Sequence, residues 1–190
     1  MTAGKALRDD VTDAIGTAFF EELAETGYGR LSVDAVAKRA GVGKAAIYRR
    51  WPSKQRMAVE LTSSVAVAAI DVPDTGSLWG DVRAYLANGR AALEHPLAQA
   101  IIPDLLAEAR RNEELAEALL GSVRDPRRAK AGDVVTRAIE RGELPADTDV
   151  ELCLDFLAGP LYWRLTAINS EPAADYLDRL TDKIVAAFGA

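Results

Sequence analysis

Apolar positions recur at three- and four-residue spacing along most of the chain, which is the mark of helices with one buried face. The first such stretch covers about residues 6–26. Val11, Ile15, Ala18, Phe19 and Leu23 share one side of it, and Gly27, Tyr28 and Gly29 end it. Ser32 opens a second helix as its N-cap, with Asp34 in the first turn, where the helix dipole favours negative charge. That helix stops at Gly41. A short third helix fits about 44–50. Pro52 and Ser53 restart the chain, and Ser53 caps a fourth helix reaching about Ile70. Residues 71–77, DVPDTGS, are turn formers and make the one convincing linker. Beyond it helices fit 78–94, 97–109, 113–140, 149–168 and 173–188. The 113–140 stretch is expected to break near Asp125-Pro126, because proline suits a first helical turn and damages an interior. No segment alternates as a strand does. The pattern predicts an all-α fold of about nine helices, packed helix on helix.

Composition agrees with this reading. Among 190 residues there are 35 alanines, the best helix former, while aromatics are only 6%. Nearly half the chain is apolar (49%), enough for a real core. One cysteine, Cys153, excludes a disulfide scaffold and a cysteine-built zinc site. One histidine, His95, argues against histidine-rich metal sites, so neither metal nor cofactor is expected. The longest uncharged run, 61–70, is far short of the roughly 20 residues a membrane-spanning helix needs. The first residues lack the apolar centre of a secretion signal, so a cytoplasmic protein is expected.

The formal charge of −6 argues against nucleic acid when taken alone. Its distribution argues the other way. Residues 1–60 carry 10 basic and 8 acidic side chains; residues 61–190 carry 13 and 21. Between 30 and 56 stand Arg30, Lys38, Arg39, Lys44, Arg49, Arg50, Lys54 and Arg56, against the single acid Asp34. A basic patch on an acidic body is the electrostatic footprint of a small DNA-reading head, or a solvated helical face with paired counter-charges.

Residues 33–51 read VDAVAKRAGVGKAAIYRRW. Two short helices meeting at Gly41 have helix-turn-helix spacing, with the motif spanning about 32–51. Ala37 is small where the helices cross, and Gly41 permits the positive φ of a tight turn. Val36, Ala40, Val42 and Ile47 point inward. Lys44, Ala45, Tyr48 and Arg49 then share the outer face of the second helix, which can enter a major groove with its first residues leading. An ordinary helical hairpin also uses glycine at its turn; the basic patch tips the balance toward DNA.

Residues 8–54 resemble the N-terminal domain of tetracycline-repressor (TetR) family regulators. The resemblance rests on GYGRLSV at 27–33, AKRAGV at 37–42 and IYRRWPSK at 47–54. A fainter echo of one subgroup is RGEL at 141–144 followed by GPLYWR at 159–164. The resemblance implies a DNA-binding domain at 1–54 and an effector-binding and dimerisation domain at 55–190, joined by the helix at about 53–70. It places Lys44, Ala45, Tyr48 and Arg49 toward bases or nearby backbone, and Tyr48, Arg50 and Lys54 toward phosphates. Ser32 matches a hydroxyl residue at a helix N-terminus suited to an anion. The chain departs from the family pattern at Gly43, where Ser is common, at Ala45-Ala46 in place of Gly-Thr, at Leu23 and at Trp51, both where Phe is usual.

The resemblance further implies a homodimer and a ligand cavity. Two leucine-rich stripes are candidates for the interface: Leu154, Leu157, Leu161 and Leu165, and Leu177, Leu180 and Ile184. Each could instead face its own core. Cavity candidates are Trp79, Tyr85, Ile102, Leu105, Leu106, Leu119, Val123, Phe156, Tyr162 and Trp163, a mostly apolar set that suggests an apolar effector. The function implied is that of a transcriptional regulator, a repressor binding a palindromic operator and released by a small ligand. An activator using the same contacts, a small helical enzyme and a non-DNA interaction module are the alternatives. No catalytic constellation or phosphate-binding glycine loop is present in the sequence.

Overall fold

A computed structural model describes residues 3–68, 72 and 74–189. Among these the chain forms α1 (Ala3–Arg30), α2 (Val33–Arg39), α3 (Lys44–Tyr48), α4 (Lys54–Ala68), α5 (Leu78–Glu94), α6 (Pro96–Ala109), α7 (Glu113–Leu119), α8 (Asp125–Glu140), α9 (Val150–Tyr162) and α10 (Tyr176–Ala187), with no strand. The fold is all-α, as the periodicity predicts. Ile70, where the pattern ends the fourth helix, lies outside the described residues, as do Asp71 and Pro73 of the linker. No helix among the described residues is long and apolar enough to cross a membrane.

The predicted break in the 113–140 stretch is real but begins before the proline. A π-helical turn, Leu120–Arg124, follows α7, and α8 starts at Asp125 with Pro126 in its first turn. The proline sits where its missing N–H costs nothing. The 149–168 stretch likewise divides into α9 and a π-helical turn at Trp163–Ala167, just after Pro160 removes a donor from the helix ladder.

The chain forms two compact units. The first comprises the chain up to Ser64 together with Pro96–Ser122; the second comprises Val65–His95 and the chain from Val123. The sequence-based boundary at 54/55 falls inside the first unit. That unit is centred on Ile15, Phe19 and Leu23 of α1, which are at most 1% exposed. Val36 of α2, Ile47 of α3, Met57 of α4, Ile101 and Leu105 of α6 and Leu115 of α7 complete its core. α1 turns sharply at Gly27, whose φ is 74°. Beside it, the Tyr28 backbone N–H donates to the Asp104 carboxylate of α6 at 2.7 Å. A Cβ on residue 27 would stand 2.7 Å from Asp104 Oδ1, so glycine is needed for both its φ and its size.

The second unit packs α5 against α8, α9 and α10 around Leu86, Val134, Leu157 and Ile184. The start of α5 is fixed by polar groups. The Ser77 hydroxyl accepts from Gly80 N–H at 3.1 Å. Glu143 accepts from Leu78 N–H at 2.7 Å. Asp81, fully buried, accepts from the Thr75 N–H and hydroxyl, each at 2.7 Å, and from Arg141 at 3.2 Å; Arg137 stands 3.5 Å away. Burial alone would raise the Asp81 carboxyl pKa, but the Thr75 bonds and the two guanidinium groups outweigh it and hold it below the usual range. Glu143 is held down first by the Leu78 N–H and then by Arg141. The RGEL segment at 141–144 is therefore a structural tie, in which Arg141 and Glu143 fasten the end of α8 to the start of α5.

Both carboxyl pKa values are depressed in the folded state. Their stabilisation is complete above the ordinary carboxylate range and disappears as pH falls below it. Asp81→Asn should lower stability by about 1–3 kcal/mol at neutral pH, because the arginine donors lose their charged acceptor. Urea unfolding measures this, and the gap to the wild type should narrow in acid as the native carboxyl takes up its proton.

Candidate nucleic-acid interface

The turn between α2 and α3 carries the site. Gly41 has φ 67°. Its N–H donates to Lys38 O at 3.3 Å, and Val42 N–H donates to Ala37 O at 3.0 Å. This paired closure of a helix C-terminus satisfies two carbonyls that would otherwise lack partners. It lets α3 restart from Gly43, which offers no side-chain cap. Val36 and Ile47 are buried and clamp the two helices, with Ala37 at the crossing. Ala40 and Val42 are half-buried and pack against the same core.

Lys44, Ala45, Tyr48 and Arg49 are all exposed and lie on the outer side of α3 and its C-terminal end. Arg50 is half-buried one residue beyond. The Lys44 ammonium pairs with Asp34 of α2 at 2.7 Å and lies 5.7 Å from the Tyr48 ring centroid. The bond to Asp34 raises the Lys44 pKa, so this group is firmly cationic at neutral pH.

Other basic residues turn out to be fastened to the protein. Arg39 reaches back to α1 and meets Glu25 at 2.6 Å, Glu22 at 3.1 Å and Glu21 at 3.4 Å. Its bond to Glu25 holds that carboxyl below the usual range. Arg30 donates to Thr26 O at 3.1 Å. The Lys54 ammonium donates to Tyr28 O at 2.9 Å and Gly29 O at 3.4 Å, and lies 4.6 Å from the Tyr28 ring centroid. An ammonium has three donors, so these bonds still leave Lys54 the means to meet an anion. Burial, then Glu108 and Glu114, push the Tyr28 phenol pKa up. Ser53 caps α4 as predicted, its hydroxyl accepting from Arg56 N–H at 3.1 Å. Ser32 occupies the N-cap position of α2 and is exposed, but its hydroxyl makes no capping bond.

The other predicted residues are scattered. Of the cavity candidates, Ile102, Leu105, Leu106 and Leu119 belong to the first unit, and Leu105 is part of its core. Trp79, Tyr85, Val123, Phe156, Tyr162 and Trp163 belong to the second. Tyr85 packs on the core there, and burial raises its pKa. Trp79 is exposed, and its Nε1–H donates to Asp182 at 2.8 Å. A cleft of about 550 Å³ in the second unit is lined by Arg164, Tyr176, Arg179, Leu180, Asp182 and Lys183, none of which is among the ten cavity candidates. The leucine stripes require correction. Leu154, Leu157, Leu161, Leu165, Leu177 and Ile184 are buried within their own subunit, and Leu180 is half-buried. The apolar residues that α9 and its extension expose are instead Leu152, Phe156 and Trp163, the last 61% exposed. A stripe at helical spacing shows that residues are buried without showing which surface buries them.

The chain is similar to known proteins over most of its length. Residues 17–61 match the family described as bacterial regulatory proteins, tetR family, and residues 72–184 match the tetracyclin repressor-like C-terminal domain. The HTH-type transcriptional regulator YdeS of Bacillus subtilis (strain 168) is 32% identical over 171 residues, covering 90% of this chain and 86% of that protein. The DNA-binding transcriptional repressor TetR of Mycobacteroides abscessus is 32% identical over 165 residues, covering 86% and 85%. Among solved structures, the transcriptional regulator FadR from Bacillus subtilis in complex with stearoyl-CoA superposes with a TM-score of 0.74 at 20% identity, covering 93% of this chain and 97% of that one.

Arg39 sits in the basic stretch but faces three glutamates. Arg39→Gln should lower the melting temperature, more so at low salt, because it removes the ion pairs that tie α2 to α1. It should leave the salt dependence of duplex binding unchanged. A slope shallower by about 0.9 would instead count Arg39 among the phosphate contacts.

Proposed function

The chain belongs to the TetR family of transcriptional regulators, and on that premise we propose that it is a cytoplasmic repressor that binds a palindromic operator as a homodimer and is released by a small, mostly apolar ligand. It is a DNA-binding regulator and not an enzyme. The observation that carries the reading is the outer face of α3. Lys44, Ala45, Tyr48 and Arg49 stand exposed together on a helix held across α2 by the Gly41 turn. Lys44 and Arg49 have the donors to meet guanine O6 and N7, and Ala45 offers a methyl to thymine. Tyr48, Arg50, Lys54 and the exposed Ser32 hydroxyl are assigned to the phosphate backbone.

One short helix reads too few bases to find a site, so two copies are required. Their half-sites would then lie roughly 34–36 Å apart, or a multiple of that. The partner face is assigned to Leu152, Phe156 and Trp163, because these large apolar side chains are left in solvent by their own subunit. The repressor role is supported by the name of the Mycobacteroides relative, and the ligand by the acyl-CoA held by the solved neighbour. Release needs an effector that binds two states of the dimer unequally, since a ligand shifts DNA affinity only by that difference.

Selection of duplex DNA from a random pool by the purified protein tests the reading. Recovery of a palindrome with half-sites about one helical turn apart is the expected result. No enrichment at low salt, where phosphate contacts are strongest, would overturn it.

On the selected duplex, Lys54→Ala should weaken binding to all sequences and make the salt slope shallower by about 0.9. Lower affinity at unchanged slope would mean that Lys54 serves only to hold Tyr28 and Gly29. Arg49→Ala should relax preference at one base position by about 1–3 kcal/mol. Trp163→Glu should yield a folded monomer by light scattering, with operator affinity lost in parallel. A dimer that survives this change would place the interface elsewhere.

A further inference from the structure

Asp34 is the one acid between residues 30 and 56, a stretch holding eight lysines and arginines. It stands in the first turn of α2, and its Oδ1 lies 2.7 Å from Nζ of Lys44, the first residue of α3. The two side chains are 65% and 51% exposed, so the pair lies in solvent and not in the core. The same ammonium lies 5.7 Å from the Tyr48 ring centroid. The carboxylate therefore shares a surface with the groups assigned to DNA. An exposed pair of this kind adds little to stability, and the α2–α3 crossing is already held by Val36, Ile47 and the Gly41 turn. The helix dipole accounts for an acid somewhere in the first turn of α2. It does not account for that acid holding a cation of the reading helix.

We propose that Asp34 is a specificity-determining residue, whose carboxylate holds the Lys44 ammonium and withholds it from the phosphates of duplexes of the wrong sequence. The proposal rests on the DNA-binding reading above. A lysine ammonium is a compact point charge that any phosphate can attract. If Lys44 leaves Asp34 for a phosphate, one anion replaces another, and an uncompensated carboxylate is left facing a polyanion. Little is gained, so sequence-independent binding is held down. At a matched base pair the balance differs. Lys44 can donate to guanine O6 and N7 in the major groove, where the carboxylate can stay beside it or accept from the cytosine N4 amino group of the same pair. The base contact does not require the ion pair to be given up. Asp34 thus penalises phosphate binding more than base reading, and the difference between the two is specificity.

Asp34→Asn removes the charge and keeps the shape and one acceptor oxygen. Binding is measured across a salt series to a duplex of arbitrary sequence and to the selected palindrome. The variant should bind the arbitrary duplex several-fold more tightly, with a salt slope steeper by about 0.9, as expected for one more phosphate contact. The ratio of matched to arbitrary affinity should fall several-fold. In a Lys44→Gln background the gain should shrink, because the cation that Asp34 restrains is gone. Asp34→Ser, which also suits a helix start, should behave as Asp34→Asn does, and thermal melts show that both are folded. An unchanged slope and ratio would overturn the proposal. So would a gain that persists undiminished beside Lys44→Gln, since that would be the effect of removing any negative charge. Wild-type protein that binds no duplex at low salt would remove the DNA-binding premise itself, a result distinct from both.

Discussion

A helix of five residues cannot hold itself together in water. One turn fixes several backbone dihedrals for a single hydrogen bond, and isolated helices shorter than about 12–15 residues are marginal. α3, Lys44–Tyr48, is such a helix, and Gly43 gives it no side-chain cap. Its existence depends on the turn before it and the core beneath it. Gly41 and Val42 close α2 with one backbone bond each, Ile47 sinks into the core, and Trp51 follows it there. Once these are in place, the positions that do not face inward have nowhere to point but outward. The exposed row Lys44, Ala45, Tyr48 and Arg49 is thus a consequence of packing.

The turn was legible in the sequence because its chemistry is local. Gly41 needs a positive φ, Ala37 needs to be small, and Ser53 before Lys54 starts a helix by capping it. Charge was less legible. Counting residues between 30 and 56 gives a patch of +7, but the structure divides those cations among different roles. Arg39 is bound to three carboxylates of α1, fourteen to eighteen residues earlier in the chain. Lys54 closes on the carbonyls of Tyr28 and Gly29. Such partners meet only after folding, and no spacing rule along the chain foretells them. Of the three carboxylates around Arg39, Glu22 is buried beneath it.

The second unit shows the same division between what periodicity can and cannot say. It placed the helices to within a turn and selected buried residues correctly, for Leu154, Leu157, Leu161, Leu177 and Ile184 all lie in a core. It could not say whose core, because a subunit interior and a dimer seam demand the same side chains at the same spacing. Leu152, Phe156 and Trp163, the partner face proposed above, are exposed, and only burial in three dimensions separates them from the stripe beside them. Asp81 is a second case. In the sequence it is one more acid in a helix N-terminal turn. In the fold it is the buried acceptor that Thr75 and Arg141 share, and it ties the RGEL segment to the start of α5.

The first unit includes α6 and α7 as well as the helix-turn-helix, and this constrains how a regulator of this kind can be switched. Asp104 of α6 accepts from the Tyr28 N–H and leaves no room for a Cβ at Gly27. Tyr28 and Gly29 in turn give their carbonyls to Lys54, the first residue of α4. The last turn of α1, beyond its kink at Gly27, is therefore held from two sides, by α6 through a carboxylate and by α4 through an ammonium. A shift of α6 along its axis would have to break the Asp104 bond or carry that turn with it, and carrying the turn would draw on the Lys54 bonds. Packed elements of this sort change between discrete arrangements and do not deform smoothly. On the reading proposed above, an effector would alter DNA affinity by favouring one arrangement of α6 and the last turn of α1 over another, to the extent that it binds the two unequally.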